Sequence, residues 1–137
     1  MTKKEVLKLI EASQNGNYVT FRENCHMHLV LNLLFFCHLM PAYIYRLRPC
    51  DITQLPDGTG KGKYVTERYG KEHEFEFDEI IMYYLKEYID RFRVSENDYI
   101  IQVDSRGMRK LFKKMTDSFQ IEGTLIDVYY SGLNDKS

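Results

Sequence analysis

The sequence of 137 residues has no tryptophan and only three prolines and three cysteines. An odd number of cysteines without framework spacing excludes a disulfide scaffold and indicates a reduced, cytosolic compartment. The most apolar stretch, residues 27–40, is interrupted by His28, Asn32 and His38, and it is shorter than the roughly 20 residues that a membrane span needs. The N-terminus has helically spaced apolar residues and no signal-peptide pattern. We therefore expect a cytoplasmic protein with no membrane partner.

An excess of charge is also missing. The 19 basic and 20 acidic residues give a formal net charge of -1, which excludes a uniformly basic protein that coats nucleic acid. The apolar fraction of 44% and the charged fraction of 28% are ordinary for a globular protein and exclude disorder, collagen and coiled coil. The length predicts a single domain over residues 1–137.

Two helices are predicted in the first third of the chain. Thr2 and Glu5 fit a capping box, and a helix at apolar spacing follows as far as Asn15-Gly16-Asn17. A second helix, apolar on most faces, is predicted over about residues 21–44, where Pro41 should kink or break it.

A turn-rich stretch, residues 55–62, precedes two predicted strands. The first covers Lys63 to Arg68, and the second, Glu72 to Phe77, alternates glutamates with His73 and phenylalanines. Alternation of this kind is typical of a half-buried strand, and the pair, joined by residues 69–71, predicts a β-hairpin.

The second half of the chain predicts more helix. Asp78 can cap a helix whose apolar stripe starts at Ile80 and ends at Phe92, and Ser105 can cap another that runs to about Phe119. Residues 99–103 fit a short strand or an extended segment, and residues 124–130 fit a strand or a helix. The order predicts an α+β, mostly helical fold, with helices packed around a small antiparallel β-hairpin or sheet.

This order, together with several residues, resembles the catalytic domain of the tyrosine recombinases (phage integrases) over about residues 2–121. The family's opening helix, T-x-x-E-v-x-x-L-l-x-a, corresponds to residues 2–12. The family's pattern G-L-R-x-x-E-L-x-x-L-x-x-x-D-I corresponds to residues 38–52, where Leu39, Leu47, Asp51 and Ile52 match. The resemblance implies the N-terminal part of such a domain, with a three-stranded sheet and a lysine-bearing turn in which Lys63 or Lys71 could stand.

The same comparison implies that the chain is not an enzyme. The family's first catalytic arginine falls on Met40 and the glutamate after it falls on Tyr43. The family's His-x-x-Arg should follow shortly after Ile121, but residues 122–137 contain no histidine and no arginine. The family's nucleophilic tyrosine would lie beyond the last residue. Phosphoryl transfer depends on positioned cations, so we expect no catalytic residue in this chain.

The residues that suggest a metal or cofactor site also fit structural roles. Cys25 and His28 share a helix face, but Cys37 and His38 lie about three turns further along. We interpret these residues as core or capping side chains and expect no metal and no cofactor.

Two further motifs have structural interpretations. Tyr129 and Tyr130 have no activating cation nearby in the sequence, so packing explains them better than nucleophilic catalysis does. The glycines at 58, 60 and 62 do not have phosphate-loop spacing, and we interpret them as a flexible hairpin loop.

Charge is concentrated in one predicted helix. Residues 105–115 contain five basic residues and no acidic one, whereas residues 79–104 and 116–137 are each net acidic. At helical spacing these cations lie opposite an apolar side, which is typical of phosphate-binding helices and also occurs on solvated surfaces. The predicted DNA contacts are Arg106, Arg109, Lys110, Lys113 and Lys114, with help from Lys61, Lys63 and Lys71 in the hairpin loop.

Three functions are compatible with these patterns. The leading hypothesis is a catalytically inactive, recombinase-like DNA-binding regulator or accessory protein of a phage or mobile element, located in the host cytoplasm if a phage encodes it. The second is a protein-binding module, such as a phage-encoded inhibitor or a partner of a host protein or a full-length recombinase, which would bind through the aromatic and acidic faces. The third is an enzyme completed by a second chain. Met40 argues against it, and covalent trapping of DNA on Tyr129 or Tyr130 would support it.

Overall fold

The computed structural model describes residues 1–15, 21–65 and 70–135. Its described part contains helices and one antiparallel sheet, which confirms the α+β, mostly helical fold class. The elements are α1 (Lys3–Asn15), α2 (Phe21–Phe35), α3 (Pro41–Ile44), a one-turn 3-10 helix (Pro49–Asp51), β1 (Ile52–Gln54), β2 (Gly60–Val65), β3 (Glu72–Phe77), α4 (Glu79–Phe92), α5 (Ser105–Ser118) and α6 (Leu125–Asn134).

The chain forms two compact units. The helical unit consists of Met1–Ile44 and Val103–Ser137, and the sheet unit consists of Tyr45–Gln102. The single domain expected from the length stays a prediction.

Helix α2 is the centre of the helical unit. It packs against α1, α5 and α6, and Leu31, Leu33 and Leu34 are fully buried. The predicted capping box at the start of α1 is confirmed, because the Glu5 N–H donates to Thr2 Oγ1 over 3.1 Å. The predicted end of α1 at Gly16-Asn17 lies outside the described residues.

Helix α2 ends earlier than predicted. It stops at Phe35, His38 then has a left-handed φ of 56°, and Pro41 begins α3. Proline is favourable in the first turn of a helix, where its missing N–H would have no partner, and it disfavours helical backbone at the preceding residue. The predicted interruption at Pro41 is therefore confirmed, but the continuous helix to residue 44 is wrong.

The sheet unit has the three-stranded sheet that the resemblance implied. The strand order is β1-β2-β3, all antiparallel, with Ile52 opposite Gly62 and Gly62 opposite Phe75. Strand β2 starts at Gly60 rather than at Lys63. Residues 66–69, which include the predicted end of this strand and the start of its turn, lie outside the described residues.

The flexible-loop interpretation is wrong for Gly60 and Gly62, because both lie within β2. A Cβ atom on Gly60 would overlap Met82, and one on Gly62 would overlap the Phe75 ring. These glycines let the neighbouring side chains approach the strand closely. Gly58 alone lies in the preceding turn, with a φ of 92° that favours glycine.

Most of the helix signals in the second half are confirmed. Asp78 caps α4, since Asp78 Oδ1 accepts from the Ile81 N–H over 2.8 Å. The stripe of α4 buries Ile81, Leu85 and Tyr88, but its first member, Ile80, is 62% exposed. The predicted burial of Ile80 is therefore wrong.

The borders of α5 and α6 resolve the remaining alternatives. The cap of α5 is Asp104, whose Oδ1 accepts from the Gly107 N–H over 2.7 Å, rather than Ser105 as predicted. Residues 99–103 do not form a strand and bend at Ile100 and Val103, and the Ile100 N–H donates to the Leu47 carbonyl over 2.9 Å. The ambiguous segment 124–130 is helical and belongs to α6.

Candidate nucleic-acid interface

Helix α5 has one apolar and one basic face, as predicted. The apolar face is buried in the helical unit through Met108, Phe112 and Met115, each at most 3% exposed. The opposite face is exposed and carries the five predicted cations: Arg106, Arg109, Lys110, Lys113 and Lys114. The apolar face fixes the helix, so the cations stand on a rigid element rather than on a loop.

The cations of α5 are almost unopposed. Lys113 Nζ lies 3.4 Å from Asp117 Oδ2, and both side chains are largely exposed. Among the described residues the other four form no ion pair. Asp117 lies on the same face one turn beyond Lys113, and its partial neutralisation of that face was not anticipated from the sequence.

This arrangement works against the stability of the helix. Arg106 stands in the first turn, where the positive end of the helix dipole disfavours cations, although the capping carboxylate of Asp104 offsets part of this effect. Five pairs of cations on α5 are three or four residues apart, and each such like-charge pair costs about 0.2–0.5 kcal/mol. The requirements of the fold therefore do not explain the basic face.

The hairpin lysines have different surroundings. Lys61 lies opposite Glu76 and Lys63 lies opposite Glu74 in the β2–β3 register. Lys63 Nζ is also 3.9 Å from Glu72 Oε1. This face of the hairpin therefore mixes cations with anions and offers no basic surface of its own.

The structure groups the eight predicted contacts into distinct sets. The five cations of α5 share one face in the helical unit, whereas Lys61 and Lys63 share a strand face in the sheet unit. Lys71 is exposed just before β3. The opposing glutamates could have been found in the sequence, because Glu72, Glu74 and Glu76 alternate in a strand predicted to pair with the lysine-bearing one.

Residues that match the family pattern have structural roles. Leu39 and Leu47 are each 3% exposed. The Asp51 carboxylate accepts from the Arg48 N–H over 3.2 Å and caps the turn before β1. His38 stands where the family pattern has glycine, and its left-handed backbone is the conformation that glycine favours.

The two positions where the resemblance places the family's first catalytic arginine and the glutamate after it lie at the start of α3. Met40 is 39% exposed, and its carbonyl accepts from the Tyr43 N–H over 3.0 Å. A methionine there presents an apolar thioether and no charge. Tyr43 is half-buried in the first turn of α3.

The other candidate motifs have the following positions. The cysteines are free, with Cys25 and Cys37 half-buried and Cys50 exposed, and the described residues contain no group of three or more potential metal ligands. Tyr130 is 53% exposed, so the packing interpretation is wrong for this tyrosine, while Tyr129 is half-buried. None of the helices described here is both long and apolar enough to cross a membrane.

Similarity to known proteins comes from structure alone. No protein-family model and no curated protein matches the sequence. The crystal structure of the XerH site-specific recombinase bound to its difH substrate, a pre-cleavage complex, is similar with a TM-score of 0.75 at 13% identity, covering 96% of this chain and 40% of that one. The crystal structure of the XerA recombinase is similar with a TM-score of 0.67 at 19% identity, covering 96% and 47%. The chain therefore has the fold of the recombinase catalytic domain and spans less than half the length of these two proteins.

Proposed function

We propose, from the recombinase fold, that this chain binds double-stranded DNA through the basic face of α5 and acts without catalysing strand exchange. Its role would be that of a regulator or accessory protein of a phage or other mobile element in the cytoplasm. The observation that carries the proposal is the exposed row of five cations on α5, held by a buried apolar face. The DNA-bound state of the XerH structure supports DNA as the ligand.

Phosphate contact is the chemistry that such a face performs. Each cation that neutralises a phosphate releases a counterion, so affinity falls with salt at a slope of about 0.9 per contact. Arg106 and Arg109 can each bind a phosphate through two donors, while the lysines act as point charges. These contacts position the chain on the duplex, and base-edge contacts would have to supply sequence specificity.

The proposal that the chain does not catalyse strand exchange rests on missing positive charge at positions where the family has catalytic cations. In that family, cations surround the phosphoryl group, and here the uncharged Met40 stands at the position of the first catalytic arginine. Residues 122–137 add no histidine or arginine. Without these groups the developing charge on the phosphate loses most of the stabilising partners that the family supplies.

The test is a salt titration of binding to a mixed-sequence duplex. If all five cations of α5 contact phosphate, the slope of log affinity against log salt is roughly 4.5, which is about a 500-fold loss between 50 and 200 mM salt. The double variant Arg109→Glu with Lys113→Glu should lower the slope by about 2 and the affinity by roughly 100-fold.

The matched control is Lys4→Glu with Lys8→Glu. This pair has the same four-residue spacing on the exposed side of α1 and makes the same change in net charge. Its structural cost is the contact of Lys8 Nζ with the Phe119 ring, 5.0 Å away, worth about 0.5–1 kcal/mol. The proposal is wrong if wild-type binding is undetectable at low salt, or if both double variants lose affinity equally.

A protein-binding module is the second candidate. Phe36, Tyr130 and Leu133 in the helical unit are each 42–53% exposed, and exposed apolar clusters are characteristic of protein contacts. The partner would be a host protein or a full-length recombinase. Recovery of one stoichiometric protein from host lysate, lost in a Tyr130→Ser variant and accompanied by no DNA binding, would favour this function.

A further inference from the structure

A groove lies along the exposed side of α4 in the sheet unit. It has a volume of about 490 Å³ and runs between α4 and the turn that contains Gly58. Three carboxylates and one ammonium line it: Glu79, Glu87, Asp90 and Lys86. The groove is therefore net acidic on a chain whose α5 is strongly basic.

Two of the carboxylates in the groove are available. Lys86 Nζ is held by Gln54 Oε1 at 2.6 Å, and Glu87 pairs with Arg91 over 2.7 Å. In contrast, the exposed side chains of Glu79 and Asp90 make no ion pair within the described ranges. A cationic ligand would be their first electrostatic partner.

The groove also exposes apolar surface. The Tyr83 ring in its wall is 63% exposed, and Ile80, one turn away, is 62% exposed. Tyr83 is oriented by a hydrogen bond to Glu87, which raises the pKa of the phenol. A tyrosine face beside carboxylates suits a guanidinium, which can stack on the ring, and Ile80 suits the aliphatic stem of a lysine or arginine.

The basic face of α5 provides both the guanidinium groups and the aliphatic side-chain stems that suit this groove. At a rise of 1.5 Å per residue, its cations from Arg106 to Lys114 extend over about 12 Å, and Glu79 and Glu87 on α4 are also about 12 Å apart. We propose that the groove on α4 binds the basic face of α5 from a second copy of this chain, in a head-to-tail contact. Charge complementarity between two surfaces of the same chain is the argument for a second copy.

The contact would have a regulatory consequence, which rests on the proposed function. The cations that bind phosphate would be the same ones that enter the groove, so DNA and a second copy would exclude each other. A head-to-tail contact also leaves one groove and one helix free at the ends, so it can extend to longer assemblies unless the geometry closes.

The experiment uses two full-length variants that each keep one half of the contact. The groove variant carries Glu79→Lys with Asp90→Lys, and the helix variant carries Arg109→Glu with Lys113→Glu. Wild type should show a concentration-dependent rise in mass by sedimentation velocity at low salt, and each variant alone should be monomeric. An equimolar mixture should regain the concentration-dependent rise in mass, because it contains one pair of intact surfaces and one pair whose reversed charges are again complementary.

Controls separate this inference from the proposed function. Glu96→Lys with Asp98→Lys makes the same charge change on exposed residues of the same unit and should associate like wild type. The single variant Asp90→Lys provides a milder change if the double groove variant unfolds. The groove variant should bind DNA as wild type does, and added duplex should dissociate the wild-type assembly.

Two results would overturn the contact. Wild type that stays monomeric at low salt, or an equimolar mixture that stays monomeric, excludes it and leaves the groove to a basic segment of another protein. Because the groove variant keeps an intact α5, its DNA binding tests the proposed function independently of either result.

Discussion

Helix α5 and the β2–β3 hairpin contain the same type of residue in opposite surroundings. On α5, five cations face solvent with Asp117 as the one acidic side chain on their face. On the hairpin, Lys61 and Lys63 stand opposite Glu76 and Glu74 across the strand pair. The sequence predicts DNA contacts from both regions, but the local balance of charge distinguishes them.

The anchoring of the two regions also differs. Phe112 of α5 is 3% exposed in the helical core. In the hairpin, Phe75 is only half-buried, and its ring meets Phe77 edge-on at a centroid distance of 4.9 Å. A phosphate-binding face needs both an excess of cations and a firm base, and α5 has both features.

The largest expected effect tests the anchoring. Phe112→Ala should lower the free energy of unfolding by about 3–5 kcal/mol, the usual cost of truncating a buried phenylalanine. Phe75→Ala should cost roughly half as much, because its ring is partly in water already. Denaturant unfolding measures both values. Equal losses would contradict the contrast in anchoring.

Much of this contrast could be predicted from the sequence. The spacing of Met108, Leu111, Phe112 and Met115 predicts both faces of α5, and the alternation in residues 72–77 predicts β3. Local patterns of this kind depend on neighbours within a few residues. The end of α2 at Phe35 could not be predicted this way, because it depends on a left-handed His38 in an otherwise apolar run.

Part of the candidate site could also be predicted, because it depends on the spacing of neighbouring residues. The basic row follows from helical spacing alone. Which glutamate stands opposite Lys63 depends on the strand register, which pairs this lysine with Glu74 and which the alternation alone does not fix. The groove beside Tyr83 depends on a turn that packs on α4, since a Cβ on Gly58 would lie 3.3 Å from Glu79 Cγ, and no sequence periodicity encodes that approach.

Low pH should destabilise the helical unit, which contains α5. Burial lowers the pKa of His26 in α2 from 6.5 to about 4, and the nearby charge of Arg22 adds to the shift. Between these two pH values the unfolded chain binds a proton that the folded chain does not, so stability falls as the pH falls through this window. The full shift corresponds to at most about 3 kcal/mol.

Unfolding midpoints measured between pH 7 and pH 4.5 test this effect. The variant His26→Leu keeps an apolar side chain in the core and removes the titrating group. The difference in stability between wild type and variant should therefore shrink or reverse in favour of the variant as the pH falls. Parallel curves for the two proteins would contradict a buried neutral His26.

A smaller effect is expected when the hairpin is given an excess of positive charge like that of α5. Glu74→Gln with Glu76→Gln removes the carboxylates opposite Lys63 and Lys61 while it keeps the shape of the side chains. Two fewer screened negative charges should raise affinity for duplex DNA about fivefold, or ~1 kcal/mol. The control Glu96→Gln with Asp98→Asn neutralises two exposed acids elsewhere in the sheet unit and should change affinity less. An unchanged affinity in the first variant would mean that the hairpin does not approach the DNA.

A single substitution with a small effect on stability separates binding from folding on α5. Lys110 lies within one helical turn of Arg106, Lys113 and Lys114, so Lys110→Glu converts three repulsions into attractions and should stabilise the chain by about 0.5–1 kcal/mol. The same change should weaken DNA binding by roughly tenfold, because it replaces a phosphate contact with a repulsion. Lys4→Glu on α1 serves as the control that leaves DNA affinity unchanged. Thermal unfolding and DNA titration of the same samples would show stability and affinity moving in opposite directions, which is expected of a surface kept for binding at a cost to the fold. A fall in stability would instead mean that Lys110 supports the fold, and an unchanged DNA affinity would mean that Lys110 does not belong to the DNA-binding surface.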